Sequence, residues 1–426
     1  MEKNNPRNII LNMLTETLDK GKLSHIVLRE MFDREQPDAR DRAFINRTFS
    51  GTLETLVRLD HEIGAFSSVP VKKMKPVIRN ILRMSLYQMQ FMDSVPSYSC
   101  INEAVKLTKK RGFGSLSGFV NGLLRTLDSK ADSLVLPDHV RCCAPEWIYK
   151  LIKDQYGKER TVRFFEKIKE EKDGVFVRLN CTRYPAAEII NTLEKDGCSV
   201  QKIPQAGQCC LVSGFDSLTS LEAFQKGMII MQDPSSVMAM DDVLQLLDLP
   251  SFMIDVCAAP GGKSMYFAEH FPDAVVSARD LSEEKIGLIR QNIRRIGLAN
   301  IRPLVHDALV FDETVKKAAD LVIADLPCSG LGVIGKKPDI LYRLKPEDPE
   351  ELAKLQRSIL AVVQEYVKPE GILLYSTCTV TDKENKENAD WFCKRFEFEQ
   401  IREKQFFPGD DPYDGFYYSV FRRRNV

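Results

Sequence analysis

Residues 252–264 read Phe252-Met253-Ile254-Asp255-Val256-Cys257-Ala258-Ala259-Pro260-Gly261-Gly262-Lys263-Ser264. A short apolar run that ends in small residues and then takes up helical periodicity is a strand turning into a helix. Small residues at such a turn let a ligand come close to the backbone. The pattern is not Gly-x-Gly-x-x-Gly. Nor is it a P-loop, because residue 258, which would be the first glycine of that pattern, is Ala. A nucleoside triphosphate site is therefore disfavoured. From about residue 236 onward, strands and helices alternate. The candidate strands are 252–256, 274–278, 301–305, 321–324 and 372–375, with helical stretches such as 283–296 and 350–366 between them. Such alternation predicts an α/β domain with a parallel, doubly wound sheet that binds ligands at the carboxyl ends of its strands.

Three carboxylates fall at that edge. Asp280, Asp307 and Asp325 follow the second, third and fourth candidate strands. One such Asp is more often a helix cap than a ligand. Three facing one glycine-rich turn point to a site. The first suits the ribose hydroxyls of an adenosine-like ligand, and the second its adenine amino group. Two cysteines lie in loops on the same edge, in Asp325-Leu326-Pro327-Cys328-Ser329-Gly330 and in Ser376-Thr377-Cys378-Thr379. A thiol there is a candidate nucleophile, since the thiolate is the reactive form. Seven others are read as buried, inert packing residues, Cys142, Cys143, Cys181, Cys198, Cys209, Cys210 and Cys393, with Cys257 packing beside the ligand.

Outward from this domain the pattern changes. Residues 174–231 follow a strand-helix-strand-strand-helix-strand order, which suits a small α+β unit. Residues 6–128 show apolar residues at three- and four-residue spacing, as in Ile10, Leu11, Leu14 and Leu18, with breakers at Gly21, Pro37, Pro70 and Pro96. They predict a bundle of short helices, with two more helices within 145–172. The whole chain has 426 residues and equal numbers of acidic and basic side chains, 60 each. Its 44% apolar and 28% charged residues suit a soluble globular protein of two to three domains, and exclude a disordered or collagenous chain. The zero balance hides an asymmetry: residues 1–130 carry 21 Lys+Arg against 14 Asp+Glu, while residues 237–426 carry 25 against 31. A basic front suggests a polyanionic partner, met through Lys72-Lys73-x-Lys75 and Lys109-Lys110-Arg111. No secretory leader or membrane span is expected. Eleven scattered cysteines, with no zinc-ligand spacing, predict free thiols, a cytoplasmic location and no metal.

The runs Cys257-Ala258-Ala259-Pro260-Gly261-Gly262-Lys263, Asp325-Leu326-Pro327-Cys328-Ser329-Gly330 and Ser376-Thr377-Cys378-Thr379 resemble the segments that mark the RNA 5-methylcytosine methyltransferases. Within these, the chain is similar to the RsmB/Sun group acting on 16S ribosomal RNA. Asp41-Arg42-Ala43-Phe44, Ile101-Asn102-Glu103-Ala104-Val105 and Val120-Asn121-Gly122-Leu123-Leu124-Arg125 resemble that group's NusB-like front. Met231-Gln232-Asp233-Pro234-Ser235-Ser236 and Asp414-Gly415-Phe416-Tyr417-Tyr418 resemble the segments that open and close its catalytic domain. The resemblance implies three domains. Residues 1–130 would be an all-α, NusB-like RNA-binding bundle. Residues 131–235 would be linker helices with a small α+β RNA-binding domain. Residues 236–426 would be a class I, Rossmann-like methyltransferase domain.

The resemblance also implies roles. The turn formed by Cys257, Ala258, Ala259, Pro260, Gly261, Gly262 and Lys263 would wrap S-adenosyl-L-methionine, with Asp280 at the ribose and Asp307 at the adenine edge. Asp325 would stand between cofactor and base. Cys378 would be the nucleophile, and Cys328 would help release the product. The enzyme would be a monomer acting on one cytosine of 16S rRNA through a covalent adduct at carbon 6. Asp325 would favour attack by supporting a proton at N3, for which a carboxyl with a raised pKa is suited. Four positions depart from the family pattern: Ser264 for Thr, Arg279 for a small residue, His306 for Gly and Leu326 for Ala. None removes a chemical group. The rival readings are the same chemistry on transfer RNA or another ribosomal site, an RNA-binding assembly or transcription factor with a vestigial catalytic domain, and a nicotinamide dehydrogenase. The first is opposed by the NusB-like front, the second by the presence of Cys328, Cys378 and Asp325, and the third by the missing glycine fingerprint.

Overall fold

The computed structural model describes residues 5–170 and 174–425. The chain forms two compact units. The first takes residues up to 169 together with 334–346. The second takes the remainder, so the α+β sheet and the large sheet belong to one unit, and the linker helices of 131–169 fold with the helical front. The sequence grouped those helices with the α+β domain.

The first unit is helical throughout. Its helices are Pro6–Leu18, Ser24–Glu35, Ala39–Glu54, Leu56–Phe66, Pro76–Phe91, Ser97–Lys110 and Ser117–Lys130, followed by Asp138–Arg141, Glu146–Tyr156 and Lys158–Lys169. The first begins at a proline preceded by Asn5, whose side chain accepts the Arg7 N–H. This is a satisfied N-terminus, with proline where no donor is needed. Helix Pro76–Phe91 is central. Ile78, Ile81, Leu82 and Leu86 are buried on it, each stabilising by roughly 1.5–3 kcal/mol. Asn80, Arg83 and Gln88 are buried on it too, and each has a partner. Arg83 makes a two-pronged bond to Asp60 at 2.7 Å on both arms, and Asn80 reaches Asp19 at 2.8 Å. Helix Ala39–Glu54 crosses it closely: a Cβ on Gly51 would lie 2.0 Å from the Tyr87 hydroxyl.

Residues 334–346 complete this unit as a strap. Leu341 is buried, the Tyr342 hydroxyl donates to the Leu53 carbonyl, and Ser24 bonds Asp339. Gly335 packs so close to Ile168 that a Cβ would stand 3.0 Å from its carbonyl oxygen. Nothing in the residue pattern of 334–346 marks it as leaving the catalytic fold.

The second unit holds two sheets. The smaller is antiparallel, ordered β2-β3-β1-β4, with β1 Val175–Leu179, β2 Ser199–Lys202, β3 Cys209–Ser213 and β4 Ile229–Met231. The larger has seven strands: β5 Phe252–Asp255, β6 Val275–Asp280, β7 Ile301–Val305, β8 Ala319–Asp325, β9 Val367–Thr377, β10 Phe398–Phe406 and β11 Phe416–Arg423. Their order is β10-β11-β9-β8-β5-β6-β7. The five strands expected to be parallel are parallel. Beyond them the sheet is mixed: β11 pairs antiparallel with both β9 and β10, so it alone is reversed. Strands β6 and β8 flank β5, which puts the point where chain direction switches at the end of β5, where the glycine-rich turn begins.

The two sheets are fixed to each other by Arg178. Its side chain is fully buried, pairs with Glu269 and donates to Gln232 at 3.0 Å. Glu269 belongs to helix Gly262–His270, which follows the turn. The β1 strand is thereby tied to the helix that carries the turn.

Candidate active site

The glycine-rich turn is held from several sides. Gly261 has φ of 105°, a conformation that penalises any Cβ. Asp280, the last residue of β6, accepts the Ala259 N–H at 2.9 Å and the Leu281 N–H at 2.8 Å, and pairs with Lys285 at 2.9 Å. Asn292 donates to the Pro260 carbonyl at 3.0 Å. Ser264 keeps the hydroxyl of the usual Thr and uses it: Oγ donates to Asp255 Oδ2 at 2.6 Å. The other oxygen of Asp255, Oδ1, is buried and accepts no hydrogen bond. Burial pushes the Asp255 carboxyl up to about 7.

This turn walls a cleft of about 190 Å³, together with Asp233, Asp255 and Asp325. A buried carboxylate oxygen without a partner costs free energy until a donor arrives. A ligand with an ammonium or other N–H group fits that requirement. Lys263 crosses the cleft, with Nζ 2.6 Å from Asp325 Oδ2 and 5.2 Å from the centre of the Phe416 ring. Asp325 also accepts from Ser376 Oγ at 2.7 Å. Its carboxylate thus has a donor on each oxygen. Within this cleft, the carboxyl pushed toward neutral pH is Asp255.

The two cysteine loops are laced together. Leu326 N–H donates to the Ser376 carbonyl and Gly332 N–H to the Cys378 carbonyl, each at 3.0 Å. Gly332 also meets Gly415, where a Cβ would stand 2.1 Å from the Gly415 oxygen. These bonds bring Cys328 Sγ within 3.4 Å of Cys378 Sγ. Both cysteines are half-buried. The hydrogen bond with Cys378, and then burial, raise the Cys328 thiol well above its usual range, so it holds its proton at neutral pH.

Not every expected residue meets the cleft. Asp307 lies exposed beyond β7, with its carboxylate accepting the Leu309 N–H at 2.9 Å. Arg279 turns away from the turn and pairs with Asp312 at 3.0 Å while lying over Tyr366. By sequence, Phe176 on β1 offers an aromatic face for RNA stacking; in the structure it is a buried ring set edge-on to Tyr413, as a packing residue would be. None of the eleven cysteines forms a disulfide. Cys257 is half-buried, and burial pushes its thiol up to about 12. Cys181, read as buried, is exposed, because it follows the end of β1 in a turn. The sequence reading passed over Asp255 and Glu384. The first could have been found, since an acidic residue inside an apolar strand is costly without a purpose. The second lies six residues past Cys378 with no spacing to mark it.

A doubly wound sheet with one reversed strand beyond β9, and a glycine turn on its central strand, is the architecture of the Rossmann-like methyltransferases. The comparisons narrow this class. The family model described as 16S rRNA methyltransferase RsmB/F matches residues 244–422, and the NusB family model matches residues 4–129. The probable ribosomal RNA small subunit methyltransferase B of Bacillus subtilis (strain 168) is 33% identical, over 91% of this chain and 88% of that protein. Ribosomal RNA small subunit methyltransferase B of Vibrio cholerae is 29% identical over 92% of each chain. The chain belongs to this RsmB/F methyltransferase family, with a NusB domain in front. Among solved structures, that of PH0851 superposes with a TM-score of 0.84 at 24% identity, over 98% of this chain and 99% of the other. NSun6 from Pyrococcus horikoshii, solved with SFG, gives 0.60 at 20% identity, over 66% and 99%. These two speak for the fold.

Proposed function

We propose that the protein transfers a methyl group from S-adenosyl-L-methionine to carbon 5 of one cytosine in 16S rRNA. The observation that carries this is the pair of thiols 3.4 Å apart beside Asp325, at the edge where the glycine turn opens. Carbon 5 of cytosine is a poor nucleophile. Addition of the Cys378 thiolate at carbon 6 makes carbon 5 enamine-like. The cofactor supplies an electrophilic sulfonium methyl. Asp325, fixed by Lys263 and Ser376, faces the base and supports a proton at N3. Asp255 offers its unpartnered oxygen to the ligand's ammonium group, and the turn from Cys257 to Lys263, braced by Asp280, wraps the ligand, with Asp280 also at its ribose. Asp307 is assigned to the adenine edge.

Release then needs two events. The proton on carbon 5 leaves to solvent, and its electron pair forms the 5,6 double bond. The carbon 6–sulfur bond breaks with its pair going to Cys378, and Cys328, a protonated thiol within reach, gives that sulfur a proton. Cys328 regains a proton from water. The base must be unstacked to be reached. The helical and α+β domains hold the RNA, the helical one chiefly at phosphates through Lys72, Lys73, Lys75, Lys109 and Lys110, all exposed. The enzyme works as a monomer in the cytoplasm, which suits eleven cysteines without a disulfide. Among the described residues no helix is long and apolar enough to cross a membrane.

The test is to incubate the protein with labelled S-adenosylmethionine and unmodified 16S rRNA, then digest and map 5-methylcytosine. One modified cytosine is expected. No label, with cofactor binding intact, overturns the reading.

A further inference from the structure

Glu384 is fully buried, and four donors converge on its carboxylate. Oε1 accepts from Ser329 Oγ at 2.6 Å and Thr381 Oγ1 at 2.8 Å. Oε2 accepts from Ser329 N–H at 2.8 Å and Gln356 Nε2 at 3.3 Å. Ser329 follows Cys328 and Thr381 lies three residues past Cys378, so one side chain grips both cysteine loops. Thr379 extends the chain, with its hydroxyl 2.7 Å from Ser329 Oγ. Ser329 has one hydroxyl hydrogen. Giving it to Glu384 leaves its oxygen to accept from Thr379, which orders the whole relay. The frame behind is rigid: Gln356 also donates to the Pro327 carbonyl at 2.9 Å, and the Tyr375 hydroxyl donates to the Glu384 carbonyl. A carboxylate with four donors meets the cost of its burial, and removing it strands those donors.

We propose that Glu384 is a positioning residue that holds Cys328 against Cys378, so that the second thiol is in reach when the RNA adduct is released. This rests on the reading that Cys378 forms the adduct and Cys328 resolves it. Glu384 touches neither RNA nor cofactor in this scheme; it acts through Ser329. Its effect therefore falls on release more than on methyl transfer. Its negative charge also opposes a second thiolate at Cys328, which favours the proton-donating form.

The experiment uses the full-length enzyme, S-adenosylmethionine and unmodified 16S rRNA. Single-turnover methyl transfer, steady-state turnover and the denaturation-resistant RNA–protein adduct are measured for Glu384→Ala, Glu384→Gln, Ser329→Ala and Cys328→Ala. Glu384→Ala is expected to lower steady-state turnover roughly a hundredfold more than single-turnover transfer, with adduct accumulating. Glu384→Gln keeps an acceptor for the Ser329 N–H and should recover most of the loss. Ser329→Ala should fall between. Parallel loss of transfer and release without adduct, in Glu384→Ala and Ser329→Ala, would mean that Glu384 only supports the fold. If Glu384→Ala does not fold, the same ratio in Ser329→Ala decides. An absence of adduct in Cys328→Ala itself overturns the underlying chemistry, and the proposal with it.

Discussion

Two pairs of cysteines in this protein invite comparison. Cys209 and Cys210 are neighbours in sequence on β3, yet they point to opposite faces of the strand and enter different apolar clusters. Both are buried, and burial pushes their thiols up to about 12 and about 11. Cys328 and Cys378 are fifty residues apart, yet their sulfurs stand 3.4 Å from each other. They sit in loops at strand ends, half-exposed, amid hydroxyls and carboxylates. Adjacency in sequence separated one pair, and sheet topology united the other. Thiol chemistry here follows from surroundings, and the parallel pairing of β8 with β9 supplies them.

The sharpest way to break this contrast is Cys378→Ala. It should reduce methyl transfer to background, a loss of more than roughly a thousandfold, with cofactor binding retained by calorimetry. Next in size is Cys328→Ala, which should preserve a single round of transfer and trap the protein on RNA, visible as a slow-migrating band on a denaturing gel. A band that forms with Cys378→Ala instead would reverse the two roles.

A third variant asks whether the cleft beside the thiols is built for a cation. Asp255 has a folded-state value of about 7 against an unfolded value of about 4, so it takes up a proton on folding. Its stabilising contribution is full below about pH 4 and is lost as pH rises through about 7. Without cofactor, Asp255→Asn should therefore lack this downward slope and melt above the parent at pH 8. It should also bind S-adenosylmethionine about tenfold more weakly at that pH, and its affinity should no longer rise through neutrality. A variant that melts lower than the parent at pH 8 would contradict the strain ascribed to the free oxygen. The smallest effect belongs to Cys209→Ala. It should cost about 1 kcal/mol in stability by denaturant titration and leave transfer unchanged. Thiol labelling of the native protein should reach exposed Cys181 and spare Cys209 and Cys210 until unfolding.

The legible parts of the fold were those with strong periodicity. The five parallel strands carry apolar runs, and the front helices carry the three-to-four spacing. Strand β10 was missed because it is an edge strand, with only Phe398 and Phe406 buried and charged residues between them. The strap at 334–346 was missed because its identity lies in what it touches, and Lys336-Lys337-Pro338 reads as a loop. At the site, the glycine turn and both cysteines could be read from local motifs. The support from Glu384 could not, since its four hydrogen bonds come from neighbouring Thr381 and from two distant segments, at Ser329 and Gln356, and leave no pattern along the chain. Asp307 was legible only as a carboxylate past a strand end; the Leu309 N–H that it accepts in the following turn was not.

The strap also dictates an order of events during synthesis. The helical unit needs Leu341 and Tyr342 to fill and cap it, yet those residues are made only after the 164 residues from 170 to 333. At about 5–20 residues per second, the ribosome leaves the unit unsealed for roughly 8–33 s. During that interval, strands β5 to β8 emerge while the place meant for Leu341 is empty. A nascent chain halted at residue 330 should therefore expose an apolar notch to chaperones, and one released past residue 346 should not.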